Sequence, residues 1–217
     1  MELMVKSEDT AMQGRPTVAI QGVAGAFHDI AARNFFGDDI EIVPSNSFMQ
    51  LFATVGAGEA RYGVVAIENS VSGSLLSNYG LLRDSGQKVH GEIYLRISQN
   101  LMALSGQQVT DLTEVHSHPM AIAQCRQFFE AYPEVRLVES SDTASSARAI
   151  RDRELKGVGA IGSELAAEMY GLEILAAGIE TNHRNYTRFL VVSPQEQRPN
   201  GDAPPDKASI VFSIPHK

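Results

Sequence analysis

The sequence predicts an α/β fold: two α/β lobes around a central cleft, joined by two crossover strands. Three observations carry that expectation. Apolar runs of strand length alternate with segments of helical spacing along most of the chain, the pattern of a parallel or mixed sheet covered by helices. A long, mostly apolar stretch over 92–104 reads as a strand that leaves one lobe and enters the other, and the run over 187–192 reads as the return. The length of 217 residues exceeds the usual single-domain mode of roughly 100 to 150 but suits two small lobes.

Residues 1–15 read as a flexible leader. The run over 16–22 is a buried strand stopped by Gly22. Phe27, Ile30, Ala31, Asn34 and Phe35 fall about one turn apart, so 27–36 is a helix with Gly37 as its terminator. The same unit recurs: a strand over 62–67, a turn-rich loop over 68–73, and a helix over 74–83 carrying Leu75, Tyr79 and Leu82 at helical spacing. Beyond the first crossover come a strand end at Val115-His116, a helix over 119–129 with Pro119 at its first position, and a strand over 135–138. A helix over 143–151, a strand over 158–161 and a helix over 164–170 follow, the last capped by Ser163 and stopped by Gly171. Lobe 1 therefore takes about 16–95 plus 189–193, and lobe 2 about 96–188. A Pro-, Gln- and Asp-rich linker spans 194–207. After it 208–214 reads as a lone strand, which either opens another domain or pairs with an existing sheet edge.

Composition excludes several function classes. With 43% hydrophobic and 20% charged residues the chain is globular rather than intrinsically disordered. A net charge of -8 and no Lys/Arg cluster disfavour nucleic acid as a partner, while leaving room for a small anion bound locally. Cys125 is the single cysteine, so no internal disulfide forms. The first residues lack the apolar core of a secretory signal, and no apolar run nears the roughly 20 residues of a membrane helix. These features predict a cytoplasmic protein without a membrane partner.

Chemistry is expected where polar loops meet buried strands. In Asn185-Tyr186-Thr187-Arg188-Phe189-Leu190-Val191-Val192 a hydroxyl and a guanidinium stand at the rigid edge of a strand. Gly22-Val23-Ala24-Gly25-Ala26-Phe27 sets two glycines before a helix, allowing close backbone approach to an anion, although it lacks the third glycine of a dinucleotide fingerprint. Glu68-Asn69-Ser70-Val71-Ser72-Gly73-Ser74 gathers side-chain donors ahead of a helix and suits a carboxylate; Asn and Ser are equally the favoured N-cap residues. Ser117-His118-Pro119 opens another helix, with Gln124 two turns on. His116, His118 and Cys125 are zinc-ligand types, but no second His/Cys pair or HExxH follows, so no metal site is expected. Cys125 shares an apolar face with Ile122 and Phe129, as a small buried hydrophobe does. Adjacent Ser117 and His118 make no triad. Such a cleft of hydroxyls, amides and one arginine suits a reaction with its own driving force, needing positioning and one hydrogen bond to a leaving group.

With these residues in place the chain resembles the catalytic domain of the prephenate dehydratases and the related arogenate dehydratases, from about Thr17 to Val192. The resemblance rests on Gly22-x-x-Gly25-Ala26-Phe27, Val65-Ala66-Ile67-Glu68-Asn69-Ser70-x-x-Gly73-Ser74, Ser117-His118-Pro119 with Gln124-Cys125, Asp142-Thr143-Ala144, Gly159-Ala160-Ile161 with Gly171-Leu172, and Asn185-Tyr186-Thr187-Arg188-Phe189, in that order and spacing. It implies two lobes like those of type 2 periplasmic binding proteins, and conversion of the dianion prephenate to phenylpyruvate, CO2 and water for phenylalanine synthesis, with no cofactor. It further implies Thr187 as the principal catalytic residue, hydrogen-bonded to the departing hydroxyl, with Asn69, Ser117 and Gln124 orienting the ring and leaving group. Arg188 would hold a substrate carboxylate. The remaining substrate contacts would come from Phe189, from Ser70, Ser72, Gly73 and Ser74, from Gly25, Ala26 and Phe27, and from His118. The sequence departs from the common pattern at Ala26 and His28, where a hydroxyl is frequent, and at Ala66, often proline. Residues 208–217 look like the first strand of a truncated ACT regulatory domain, and a homodimer or homotetramer is expected. The alternatives are an arogenate dehydratase giving phenylalanine directly, and a non-catalytic solute-binding module of the same fold.

Overall fold

The computed structural model describes residues 14–194. The expected linker, the terminal strand and nearly all of the leader lie outside the described residues. Two sheets form. The first comprises β1 (Thr17–Gln21), β2 (Glu41–Ser45), β3 (Tyr62–Asn69), the two-residue β4 (Gly73–Ser74), β5 (Lys88–Arg96) and the late strand β11 (Tyr186–Ser193). The second comprises β6 (Asn100–Ala103), β7 (Glu114–Ser117), β8 (Arg136–Glu139), β9 (Val158–Gly162) and β10 (Glu173–Ala176). The helices are α1 (Phe27–Phe36), α2 (Phe48–Gly56), α3 (Leu76–Ser85), α4 (Pro119–Phe129), α5 (Thr143–Arg153) and α6 (Glu164–Met169).

Both lobes repeat one plan. Three parallel strands linked through helices lie in the order β2-β1-β3 in one lobe and β8-β7-β9 in the other. In each, an antiparallel strand then joins beside the third: β11 beside β3, and β6 beside β9. Each of these two strands is delivered by a crossover. Ligands in such sheets sit outside the carboxyl ends of the parallel strands, so the plan sets both lobes' binding edges toward a shared space.

Alternation along the strands divides the core. On one face of the first sheet Val18, Ile20, Val64, Phe189 and Val191 pack on Ala31 and Ala32 of α1; on the other, Ala19, Val65, Leu190 and Val192 pack on Leu51, Phe52 and Val55 of α2. The second sheet has Leu101, Val115 and Ile161 against α4, with Met102 and Ala160 against α5 and α6. Burial on both faces explains the unbroken apolar run in β3.

The crossovers differ in detail from the expectation. The stretch over 92–104 is two strands, β5 in the first sheet and β6 in the second, separated at 97–99. The return runs over 177–185, so β11 is already in the first sheet at Tyr186, opposite Arg96. The two connectors are bonded to each other: Ile97 N donates to Asn185 O (2.8 Å) and Ile179 N to Gln99 O (2.8 Å). The buried Glu180 carboxylate accepts from Gln99 N at 2.8 Å.

A second junction holds the lobes at the first loop. Ser163 Oγ donates to Gly25 O (2.5 Å) and Tyr170 OH to Ala24 O (2.7 Å). Gly25 has φ +86, and a Cβ there would stand 3.0 Å from Ala166 Cα. Both the backbone conformation and the space require glycine. Gly25→Ala should therefore destabilise the protein by roughly 2 kcal/mol or more, from left-handed strain plus overpacking, read as a lower urea midpoint.

Candidate active site

Pairing of β3 with β11 places Thr187 opposite Asn69 and Arg188 opposite Glu68. Successive side chains point to opposite faces, so Thr187 and Asn69 face the cleft while Arg188 and Glu68 face away. A register shift after Arg188 brings Phe189 level with Ala66, and both line the cleft. The cavity is about 380 Å³. Its wall includes the first residues of four helices: Phe27 and His28 of α1, Phe48 of α2, Met120 and Ala121 of α4, and Thr143 of α5. Free backbone N–H groups and the positive helix ends favour anions there. Among its described lining residues none is Lys or Arg, and the one carboxylate is Asp142, which caps α5 by accepting from Ser145 N at 2.7 Å.

A directed chain of amides crosses the cleft floor. Asn69 Oδ1 accepts from the backbone N–H groups of Val71 and Ser72, both at 2.9 Å. Its oxygen is thus assigned, and its NH2 must point the other way, donating to Thr187 Oγ1 (2.9 Å) and Asn185 Oδ1 (2.8 Å). Asn185, wholly buried, then donates through Nδ2 to Gln124 Oε1 at 3.0 Å. Gln99 Nε2 donates to the same oxygen at 3.3 Å. Two consequences follow from this polarity. Thr187 Oγ1 accepts from Asn69, which leaves its own O–H to donate into the cleft. Gln124 spends its oxygen on the chain and presents its NH2.

The histidines of the wall are electrically quiet. Burial pushes the His28 imidazole down to about 4, and its Nε2 is buried with no hydrogen-bond partner, the ring lying between Phe48 and Phe189. His118 is also lowered by burial, against Asp142 and Glu139, which raise it. Its Nδ1 accepts from Met120 N (3.2 Å), so the neutral ring carries its proton on Nε2.

Of the residues expected from sequence, Thr187, Asn69, Gln124, His118, Phe189, Ser72, Ala26 and Phe27 line the cavity. Six others are not among its lining residues. Arg188 lies on the opposite face, bound to Glu92 (2.8 Å) and Glu68 (3.3 Å). The Ser117 hydroxyl is buried and donates to Ile161 O at 2.8 Å. Ser70 fastens the return segment, donating to Arg184 O and accepting from Tyr186 N. Gly73 and Ser74 form β4 against Asn69 and Glu68, and Gly25 packs on Ala166. Sequence reasoning missed Gln99, Asp142 and Phe48 as wall residues and Asn185 as the link between lobes. Asn185 carried a signal, an amide directly before the strand, and Asp142 stood in the Asp142-Thr143-Ala144 motif; Gln99 and Phe48 carried none. Burial pushes the Cys125 thiol up to about 12, an unreactive group. Among the described residues no cluster of His, Cys, Asp or Glu could hold a metal ion, and no helix is long and apolar enough to cross a membrane.

Comparison with known proteins gives a consistent result. The family model described as "Prephenate dehydratase" matches residues 18–197. A bifunctional chorismate mutase/prephenate dehydratase of Aquifex aeolicus is 34% identical over 205 residues, covering 94% of this chain and 55% of that protein. Arogenate dehydratase 2 of Petunia hybrida is 38% identical over 200 residues, covering 92% and 50%. The chain thus spans about half the length of these relatives. Among solved structures, a prephenate dehydratase from Arthrobacter aurescens in complex with L-Phe superposes with a TM-score of 0.73 at 28% identity, covering 88% of this chain and 63% of that one. A protein described as a quorum quenching acylase, GqqA, gives 0.75 at 33%, covering 87% and 66%.

The buried His28 makes stability depend on pH. Its pKa is about 4 when folded and 6.5 ordinarily, so between these values the unfolded chain binds the extra proton. Its contribution is complete above pH 6.5 and is lost as pH falls toward 4. His28→Leu should flatten the stability profile over that window, measured by urea denaturation at stepped pH.

Proposed function

The chain belongs to the prephenate dehydratase family, and on that premise we propose that it converts prephenate to phenylpyruvate, CO2 and water. The observation that carries the reading is the Thr187 hydroxyl, fixed as a donor by the oriented Asn69 amide and aimed into a cleft walled by helix N-termini. In the reaction the C–C bond to the ring carboxylate breaks and CO2 leaves. That electron pair completes the aromatic ring, and the C–O bond breaks toward oxygen. The departing oxygen takes up one proton, supplied ultimately by solvent, and leaves as water.

Each part of the wall has a task in this scheme. Thr187 stabilises the charge growing on the leaving oxygen, a preorganised hydrogen bond formed where water is excluded. A threonine hydroxyl is too weak an acid to transfer its proton outright at neutral pH. Gln124 offers a second donor from the other lobe. The substrate's two carboxylates are met by backbone N–H groups of the helix starts, no Lys or Arg standing among the described lining residues. Phe27, Phe48 and Phe189 supply the apolar surface for a ring becoming aromatic.

One feature favours a second substrate. Asp142 and the lack of lining Lys or Arg suit arogenate, which carries an ammonium group and one net negative charge less. GqqA is described as a quorum quenching acylase, and covalent catalysis of acyl chemistry uses an activated nucleophile. The buried Cys125 with its raised pKa does not offer one. A cytoplasmic setting and a homo-oligomeric state accompany this reading as expectations.

Purified protein at neutral pH should form phenylpyruvate from prephenate faster than an enzyme-free control; product from arogenate alone, appearing as phenylalanine, would reassign the substrate. Thr187→Ala should lower kcat by roughly 100-fold or more while leaving KM nearly unchanged, the pattern of a donor used in the transition state. Unchanged turnover would remove Thr187 from the mechanism. Arg188→Met should act differently: KM should stay within about threefold, while stability falls by roughly 1–3 kcal/mol because Glu68 and Glu92 each lose a cationic partner.

A further inference from the structure

Gln99 is 3% exposed and lies between β5 and β6, on the first crossover. Its backbone is fixed on both sides, N–H to Glu180 Oε2 and C=O from Ile179 N. Its side chain lines the cavity, and its Oε1 is buried without a hydrogen-bond partner. Nor can the amide be reversed. Gln124 Oε1 is an acceptor because Asn185 donates to it, and Asn185 donates because Asn69 is clamped by the N–H groups of Val71 and Ser72. Turning Gln99 over would set oxygen against oxygen at 3.3 Å. The chain of amides therefore leaves an acceptor without a donor on a residue of the cavity wall, buried just behind its surface. A buried acceptor without a donor is unfavourable, and a ligand hydroxyl in the adjoining cavity is one group able to supply the donor.

Resting on the reading of this cleft as a dehydratase site, we infer that Gln99 Oε1 accepts the hydrogen bond of the substrate's departing hydroxyl. That hydroxyl has one proton to donate and lone pairs that accept. Thr187 O–H meets a lone pair, and the hydroxyl's own proton needs an acceptor. Prephenate carries no other donor, its carboxylates and keto oxygen being acceptors. Gln99 and Thr187 belong to one hydrogen-bond chain, through Gln124, Asn185 and Asn69, and so hold the hydroxyl from two sides. The Gln99 contact fixes the direction of the C–O bond, and Thr187 stabilises the charge as it breaks. Product lacks the hydroxyl and makes neither contact.

The test compares turnover with product binding in Gln99→Met, which keeps side-chain length and removes the acceptor. With prephenate, or arogenate if that is the substrate turned over, kcat should fall about tenfold or more with KM within about threefold. The inhibition constant for phenylpyruvate should not move, and the melting temperature should be retained. In the Thr187→Ala background the further loss should be under about threefold, since both residues act on one group. Gln99→Asn, which retracts the acceptor but keeps the amide, should lose less than Gln99→Met, and it carries the same readings should the methionine variant fail to fold. An unchanged kcat, a parallel rise in KM and phenylpyruvate inhibition constant, or full additivity with Thr187→Ala would overturn the assignment. Wild-type turnover of either substrate reports on the dehydratase reading, and its absence with both overturns the two together.

Discussion

The structure of the cleft depends on one side chain held the right way round. Asn69 ends β3, and the following turn points two backbone N–H groups at its carbonyl oxygen. An asparagine amide has two nearly isosteric ends, and without this clamp its orientation would be free. With it, every later amide has a fixed polarity: Asn185 accepts then donates, Gln124 accepts, Gln99 donates. Thr187 receives a hydrogen bond and must give its own away. A chain of neutral amides thereby gains direction. Its donors are prepared before any ligand arrives, which is the condition for electrostatic stabilisation to act without reorganisation.

The same chain spans both lobes and explains why the cleft is built where it is. Asn69, Asn185 and Thr187 belong to the first sheet or the segment entering it, and Gln124 to α4 of the second lobe. The Thr181 N–H bonds Gln124 O at 2.8 Å, and Glu180 beside it bonds Gln99 N, so the return crossover fastens both glutamines. Opposite this floor the first loop is docked on α6 through Ser163 and Tyr170. Charge follows the same economy. Arg188 serves the far face, where hydrogen bonds from Tyr79 and Arg188 outweigh partial burial and keep the Glu68 carboxyl below its ordinary value. In the wall of the cleft the positive potential comes from helix ends, which cannot swing away.

Much of this was legible in sequence, and the failures have physical causes. Strands β1, β3, β7 and β9, helices α1, α4, α5 and α6, and the double crossover follow from apolar period, caps and glycine stops. The region holding β2 and α2 gave no clear signal. Pro44 interrupts β2, tolerable because that strand is a sheet edge. At the cleft, residue type pointed to loops that border the cavity but not to faces. Thr187 and Arg188 are adjacent, and strand geometry allows only one of them into the cleft. Ser117 ends a strand in a loop-facing position, yet the nearest acceptor is the Ile161 carbonyl of the neighbouring strand. Gln99 was hidden inside a stretch read as continuous strand, when its polarity marked the break between β5 and β6.

That break has a reason beyond connectivity. A strand passing straight from one sheet to the other would bury its backbone N–H and C=O groups between lobes with no ladder to satisfy them. The return segment supplies partners instead, residue by residue: Asn185 for Ile97, Glu180 and Ile179 for Gln99. Two crossovers are therefore needed where one would connect the chain, because each satisfies the other. Their mutual pairing fixes the backbone at Gln99 and brings Asn185 to the floor of the cavity beneath Thr187. The topology that makes two lobes possible is in this way also what positions the polar groups between them.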